Sequence, residues 1–397
     1  MKMKLTPKSE IENRIARLQA ELVEQELDGT IIILNSDMFY FTGTVQKSYL
    51  YVPAEGKPVL MIIKSLQRGQ AESPLENIVA IKKPAEMVDI LSSFGYTRLK
   101  KIGLELDVLP FNLYCKLQLF FPGVQFFDIS PSIKTVRSLK SPYEIDLLSE
   151  SLQVMDEAHR AVPVFLQEGM REIELAALFE SEMRKRGYSG CCDMRSFNQE
   201  VFLGNTVSGT NGSIPSFFDS AVGGTGVSVS HPQGAGWKRI KRNEVIYIDY
   251  TCVVHGYSGD QTRIYCIGEL TPKMVRAYED SLIIESEIVN SIKPGTPAEA
   301  PYLLAAKMAE EMGYSNNFMG LKNEQARFVG HGVGVEMSEP PILAQNIKTP
   351  IMPGMTFAIE PKFIFPEGAV GIENTYVMTE NGPKCLSITP NSIFYCK

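Results

Sequence analysis

The sequence predicts an α+β protein of two domains, an N-terminal α/β domain over residues 1–135 and a larger domain over 140–397. Three observations carry this. The first third alternates short helical and strand-like signals. The remainder holds two similar helix–helix units, each followed by strands. Those strands carry carboxylates inside apolar, β-branched runs, which ordinary packing does not explain. At 397 residues the chain exceeds a single core and suits two.

The first helix is expected from Ser9 and Glu12 as a capping box, with Ile11, Ile15, Leu18 and Leu22 forming an apolar face and Gly29 ending it. A strand follows over GTIIILN (29–35), then a hairpin in which SYLYVP and KPVLMII flank Ala54-Glu55-Gly56. Nothing in this domain clusters His, Cys or carboxylates, which points to a scaffolding, gating or dimerisation role.

Ser141-Pro142-Tyr143-Glu144 gives a second capping box with proline at the first helical position. A long helix runs from there to about Leu166, and another spans Arg171–Arg186 before Gly187-Tyr188. Residues 271–314 repeat the plan: Thr271-Pro272 opens a helix, Lys293-Pro294-Gly295 breaks it, and a second helix ends at Gly313-Tyr314. The breaks at Gly169 and Gly295 are 126 residues apart, and so are the two Gly-Tyr pairs. A duplication is expected.

In the first copy EVIYIDYTCVV carries Asp249, and the chain returns as YSGDQTRIYCI with Asp260. A turn centred on Val254-His255 would put these two carboxylates directly opposite each other. In the second copy MTFAIEPKFIF carries Glu360, Pro366-Glu367-Gly368 turns the chain, and VGIENTYVM carries Glu373, again opposed. Opposed carboxylates in apolar strands destabilise a sheet unless a cation joins them. Arg263 could neutralise one of the four.

There are four histidines. His331 lies in Gly-His-Gly-Val-Gly, and His231 follows a glycine-rich stretch ahead of the Asp249 strand, so each half supplies an imidazole upstream of two carboxylates. His255 is expected at the hairpin turn, and His159 among helical charges. Four carboxylates with an imidazole suit a pair of divalent metal ions. These donors admit manganese, cobalt, iron or zinc. No GxGxxG spacing occurs, so no nucleotide site is expected.

A net charge of −7 without a Lys/Arg cluster argues against nucleic acid as a partner. No apolar run is long enough to span a bilayer, and the N-terminus leads into no apolar signal region, so no membrane partner is expected. Seven cysteines without CxxC spacing suggest reduced thiols and a cytoplasmic location.

These motifs resemble the pita-bread metallopeptidases, which include prolidase, aminopeptidase P, methionine aminopeptidase and creatinase. The likeness covers nearly the whole chain: D-x10-D at Asp249 and Asp260, GHGxG at His331, EP at Glu360 and IE at Glu373. It implies a C-terminal pita-bread fold, a helix-pair unit and curved antiparallel sheet in two copies, behind a creatinase/prolidase-like N-terminal domain. It implies metal ligation by Asp249, Asp260, His331, Glu360 and Glu373, proton relay by Glu360, and substrate contact by His231. It further implies a homodimer cleaving the bond before proline in short peptides. Three positions depart from the family pattern. Ser338, followed by Glu339 in the expected substrate pocket, stands where the peptidases usually carry a histidine. Gly371 replaces a common arginine, and Asn374 an acidic residue. These departures motivate an alternative, a relative acting on another small molecule as a creatinase-like C–N hydrolase or lyase. A non-catalytic binding module is the third reading.

Overall fold

A computed structural model describes residues 3–195, 197–198 and 204–397. These fall into two compact units that divide between Arg137 and Ser138.

In the first unit, Ile11, Ile15, Leu18 and Leu22 are all buried along one face of the helix Lys8–Glu24, as the spacing predicts. The capping box does not form. Pro7 is the N-cap residue, at φ −58°, and the helix starts at Lys8 without a side-chain cap. Proline pre-sets the backbone two residues before Ser9, so Ser9 falls inside the first turn. Glu12 instead faces Lys8 across one turn at 3.6 Å. The sheet is six-stranded. Its central strand Gly29–Ile32 pairs antiparallel with Ser48–Pro53, which continues into the expected hairpin with Val59–Ile62. On its other side Lys101–Leu104 joins in parallel. Ile31, Tyr51, Met61 and Ile102 form the core of this unit with the helical residue Leu117.

The second unit contains the helix pair twice, as Pro142–Phe165 with Glu172–Lys185 and as Pro272–Ser291 with Ala300–Glu311. Both first helices start on their predicted caps. Ser141 and Glu144 exchange reciprocal bonds, the Glu144 N–H donating to Ser141 Oγ at 3.2 Å and the Ser141 N–H to Glu144 Oε2 at 2.9 Å. Thr271 Oγ1 accepts from the Met274 N–H at 3.4 Å. This is the α+β pita-bread arrangement. No helix among the described residues is long and apolar enough to cross a membrane.

Two hairpins place the site. The first joins Ile246–Val254 to Tyr257–Ile267 in a continuous ladder. Its turn is His255-Gly256, with φ of 53° and 84°. Two consecutive positive φ values make the tight connection that matches strand twist, and glycine takes the second at no steric cost. The turn therefore sits one residue later than expected, which corrects the register. Asp249 faces Thr262, and Asp260 faces Thr251. The two aspartates are diagonal neighbours on one face, which eases their repulsion.

In the second hairpin the expected register is found. Thr356–Ile359 pairs with Asn374–Thr379, and beyond a break Lys362–Phe365 pairs with Gly368–Gly371 in the same register. Glu360 and Glu373 face each other in the gap between these two ladders. The isolated bridge between Thr262 and Glu373 ties the hairpins together.

Candidate metal centre

Period-two alternation puts Asp249 and Thr251 on one face of their strand, and Asp260 and Thr262 on the same face of the next. The Thr262–Glu373 bridge brings the second hairpin against that face, so four carboxylates converge. Asp260, Glu360 and Glu373 are buried, while the Asp249 side chain keeps 20% of its surface exposed. His331 enters from the opposite side. Its Nε2 lies 3.5 Å from Glu360 Oε1, 3.7 Å from Asp260 Oδ2 and 3.9 Å from Glu373 Oε1. His331 Nδ1 is 3.2 Å from the Gly332 carbonyl oxygen. In the tautomer that donates Nδ1–H there, Nε2 offers a lone pair to the cluster. Ligand atoms of Asp260, His331 and Glu373 all lie within 4.8 Å of one another. A buried set of oxygens and one imidazole nitrogen at this spacing fits a divalent cation.

A residue that sequence reasoning overlooked shares the site. Lys362 Nζ donates to Glu360 Oε2 at 2.6 Å, Glu373 Oε2 at 3.0 Å and Asp249 Oδ2 at 3.1 Å. Lys362 follows Glu360 by two residues, across the break between the strand ending at Ile359 and the one starting at Lys362. Arg263, the cation expected to pair, goes elsewhere. Its guanidinium donates to the backbone carbonyls of Thr262, Glu373 and Thr389 and to Asn374 Oδ1. Asn374 passes the contact on, donating to Glu285 Oε1 at 2.7 Å. The amide thus serves a structural network behind the site.

The two sides of the cluster differ electrostatically. Burial raises the Asp249 carboxyl, but the Lys362 ammonium and the Tyr247 hydroxyl, 2.8 Å from Oδ2, outweigh it and hold the group below its ordinary range. Lys362 itself is held well above the usual lysine value, because the carboxylates outweigh the cost of burying it. Across the cluster, burial and then the Asp249 charge push Asp260 up to about 7, with His331 opposing them. Burial and then Asp260 push Glu373 well up. On the His331 side the negative charge lacks a matching cation. Hydrogen bonds still orient Asp260, which accepts from Thr251 Oγ1 at 2.9 Å and from the Gln261 N–H at 3.0 Å.

The cluster forms the floor of an open cavity whose walls include Asn205, Phe218, Gln233, Phe328, Met337 and Ser338. Ser338 is among these lining residues, with a left-handed backbone at φ 63°. Glu339 does not line the cavity. Alternation turns it away, and it is buried against Lys140 Nζ at 2.5 Å. His231 is also outside the lining: it is exposed, and its N–H closes a tight turn onto the Ser228 carbonyl at 3.0 Å. Two residues further on, Gln233 reaches the cavity instead. Its Nε2 donates to the Val222 carbonyl at 3.2 Å, and its Oε1 is buried without a hydrogen-bond partner. Of the remaining histidines, His255 is the turn residue. His159 is buried with Nδ1 3.0 Å from the Tyr265 hydroxyl, a structural contact.

The profile of metallopeptidase family M24 matches residues 146–380, and that of the creatinase/prolidase N-terminal domain matches residues 14–139. The Xaa-Pro dipeptidase of Pyrococcus furiosus is 27% identical over 387 residues, spanning 96% of this chain and 100% of its own length. That of Pyrococcus horikoshii is 26% identical over 372 residues, covering 93% and 95%. Among solved structures, the prolidase from Pyrococcus furiosus superposes with a TM-score of 0.77 at 27% identity, covering 94% of this chain and 99% of that one. An Xaa-Pro dipeptidase from Bacillus anthracis superposes at 0.83 and 23% identity, covering 97% and 99%, and supports the fold. With the family profile spanning the duplicated helices and every strand that carries a candidate ligand, the chain belongs to metallopeptidase family M24 and is a metallohydrolase.

Proposed function

We propose that the protein is a metal-dependent Xaa-Pro peptidase of the prolidase or aminopeptidase P type, hydrolysing the bond before proline in short peptides. The observation that carries this is the buried Asp260, His331 and Glu373 cluster, with Glu360 beside it, on the floor of a cavity in a chain that aligns end to end with Xaa-Pro dipeptidases. A bound divalent ion, with manganese or cobalt suited to these donors, would supply Lewis-acid activation of water and carbonyl. Asp260, His331, Glu360 and Glu373 would hold it. This reading assigns the proton relay to Glu360, whose Oε1 lies 3.5 Å from His331 Nε2 while its Oε2 accepts from Lys362. Phe218, Phe328 and Met337 give the cavity apolar walls suited to a prolyl ring, with Gln233 and Asn205 offering polar contacts. The expected pair of metal ions meets Lys362, which already engages three of the carboxylates. A cytoplasmic homodimer completes this reading, and size-exclusion chromatography with light scattering would test the assembly.

Steady-state turnover of Xaa-Pro dipeptides and longer Xaa-Pro peptides, with manganese or cobalt added, tests the activity. Release of the residue preceding proline is expected. Protein that binds metal yet cleaves none of the panel would refute the peptidase reading. It would favour a relative acting on a different small molecule, which Lys362, Ser338 and the absence of any imidazole but His331 among the described lining residues also motivate.

A further inference from the structure

We propose that the Lys362 ammonium stands permanently in one half of the carboxylate cluster, so that the protein binds a single divalent ion rather than a pair. That ion lies in the half bounded by Asp260, His331, Glu360 and Glu373. The inference rests on the metal-dependent reading above only in taking the cluster to bind metal.

The oxygens of the cluster are already divided. Glu360 and Glu373 each turn Oε2 to Lys362 Nζ and Oε1 to His331 Nε2. A bridging carboxylate shared between two ions would divide its oxygens in the same way, and here an ammonium takes one share. Asp249 belongs to the lysine side. Its Oδ2 receives both Lys362 Nζ and the Tyr247 hydroxyl. The Tyr247 ring lies 5.7 Å from Nζ and completes the ammonium's surroundings.

The backbone makes room for this arrangement. Lys362 pairs across the ladder with Gly371. A Cβ at residue 371 would come within 2.8 Å of both Cα and Cγ of Lys362 and within 2.6 Å of the Pro361 carbonyl oxygen. The lysine stem occupies the space that a side chain at 371 would need, so a glycine there and a lysine at 362 form one device. The Lys362 side chain is 4% exposed. Withdrawing it would leave a buried charge without its partners.

Four carboxylates and one ammonium leave three negative charges, which one divalent ion reduces to one. Lys362 also lines the cavity, so a fixed positive charge stands beside bound substrate where an exchangeable ion would otherwise be.

The test counts ions on full-length protein, stripped with chelator, equilibrated with Mn(II) and desalted. Elemental analysis should find about one manganese per wild-type chain, with the EPR signal of an isolated ion. Lys362→Ala should take up about a second, with a spin-coupled signal, and His331→Ala should lose the wild-type ion. Two ions per wild-type chain, or none, would overturn the proposal. So would a Lys362→Ala variant that keeps the wild-type circular dichroism yet stays at one ion. If that variant does not fold, the wild-type count and EPR signal decide. One bound ion without Xaa-Pro cleavage would refute the activity and leave this inference standing.

Discussion

The two hairpins of the catalytic unit place different residues at the same point. Two positions after the first carboxylate of each, Thr251 follows Asp249 and Lys362 follows Glu360. Thr251 is a hydroxyl that steadies Asp260 and leaves its charge in place. Lys362 is an ammonium that neutralises what it touches. The carboxylate cluster is thereby split into a side compensated by protein and a side awaiting a cation. Buried carboxylates in excess of buried cations mark the functional half.

The largest effect expected on this contrast comes from His331→Ala. It removes the only nitrogen donor of the cluster among the described residues, so metal affinity measured by calorimetry should fall by ~100-fold or more, and turnover with it. Next comes Lys362→Met, which breaks the compensated side. In metal-free protein it leaves the buried Glu360 and Glu373 and the partly buried Asp249 without their cation and should cost about 3–5 kcal/mol in chemical denaturation. Added Mn(II) should recover most of that loss. A variant as stable as wild type without metal would show that the ammonium is dispensable. Thr251→Val sharpens the other side: loss of the bond to Asp260 Oδ2 should weaken metal binding by about tenfold with little change in fold stability. The smallest effects lie above the floor. Gln233→Ala should raise KM about tenfold through loss of a polar wall contact, while exposed His231→Ala should leave KM and metal content near wild type. The reverse ranking would return His231 to the substrate.

Much of this was legible in the residues. The helix pairs announced themselves through Ser141-Pro142 and Thr271-Pro272, whose caps and proline φ are local and survive folding. The opposed pair Glu360 and Glu373 followed from a hairpin whose register held on both sides of its break. The first hairpin misled because a two-residue turn can slide by one position at little cost in sequence pattern, and here His255 accepts a positive φ that the sequence did not advertise. Ser9 misled for a related reason, since Pro7 starts the helix ahead of it. Lys362 was hidden because the chain breaks between Ile359 and Lys362, so strand alternation does not fix its side relative to Glu360. His231 and Gln233 differ by two positions in a glycine-rich loop, where no periodicity says which side chain turns inward.

The central claim is that Lys362 stands in for an ion. Anomalous diffraction from crystals grown with excess Mn(II), recorded on wild-type protein, tests it most directly. The account predicts a single manganese peak bounded by Asp260, His331, Glu360 and Glu373, with Lys362 Nζ still on Asp249, Glu360 and Glu373. Two peaks, with the lysine displaced from those carboxylates, would contradict it.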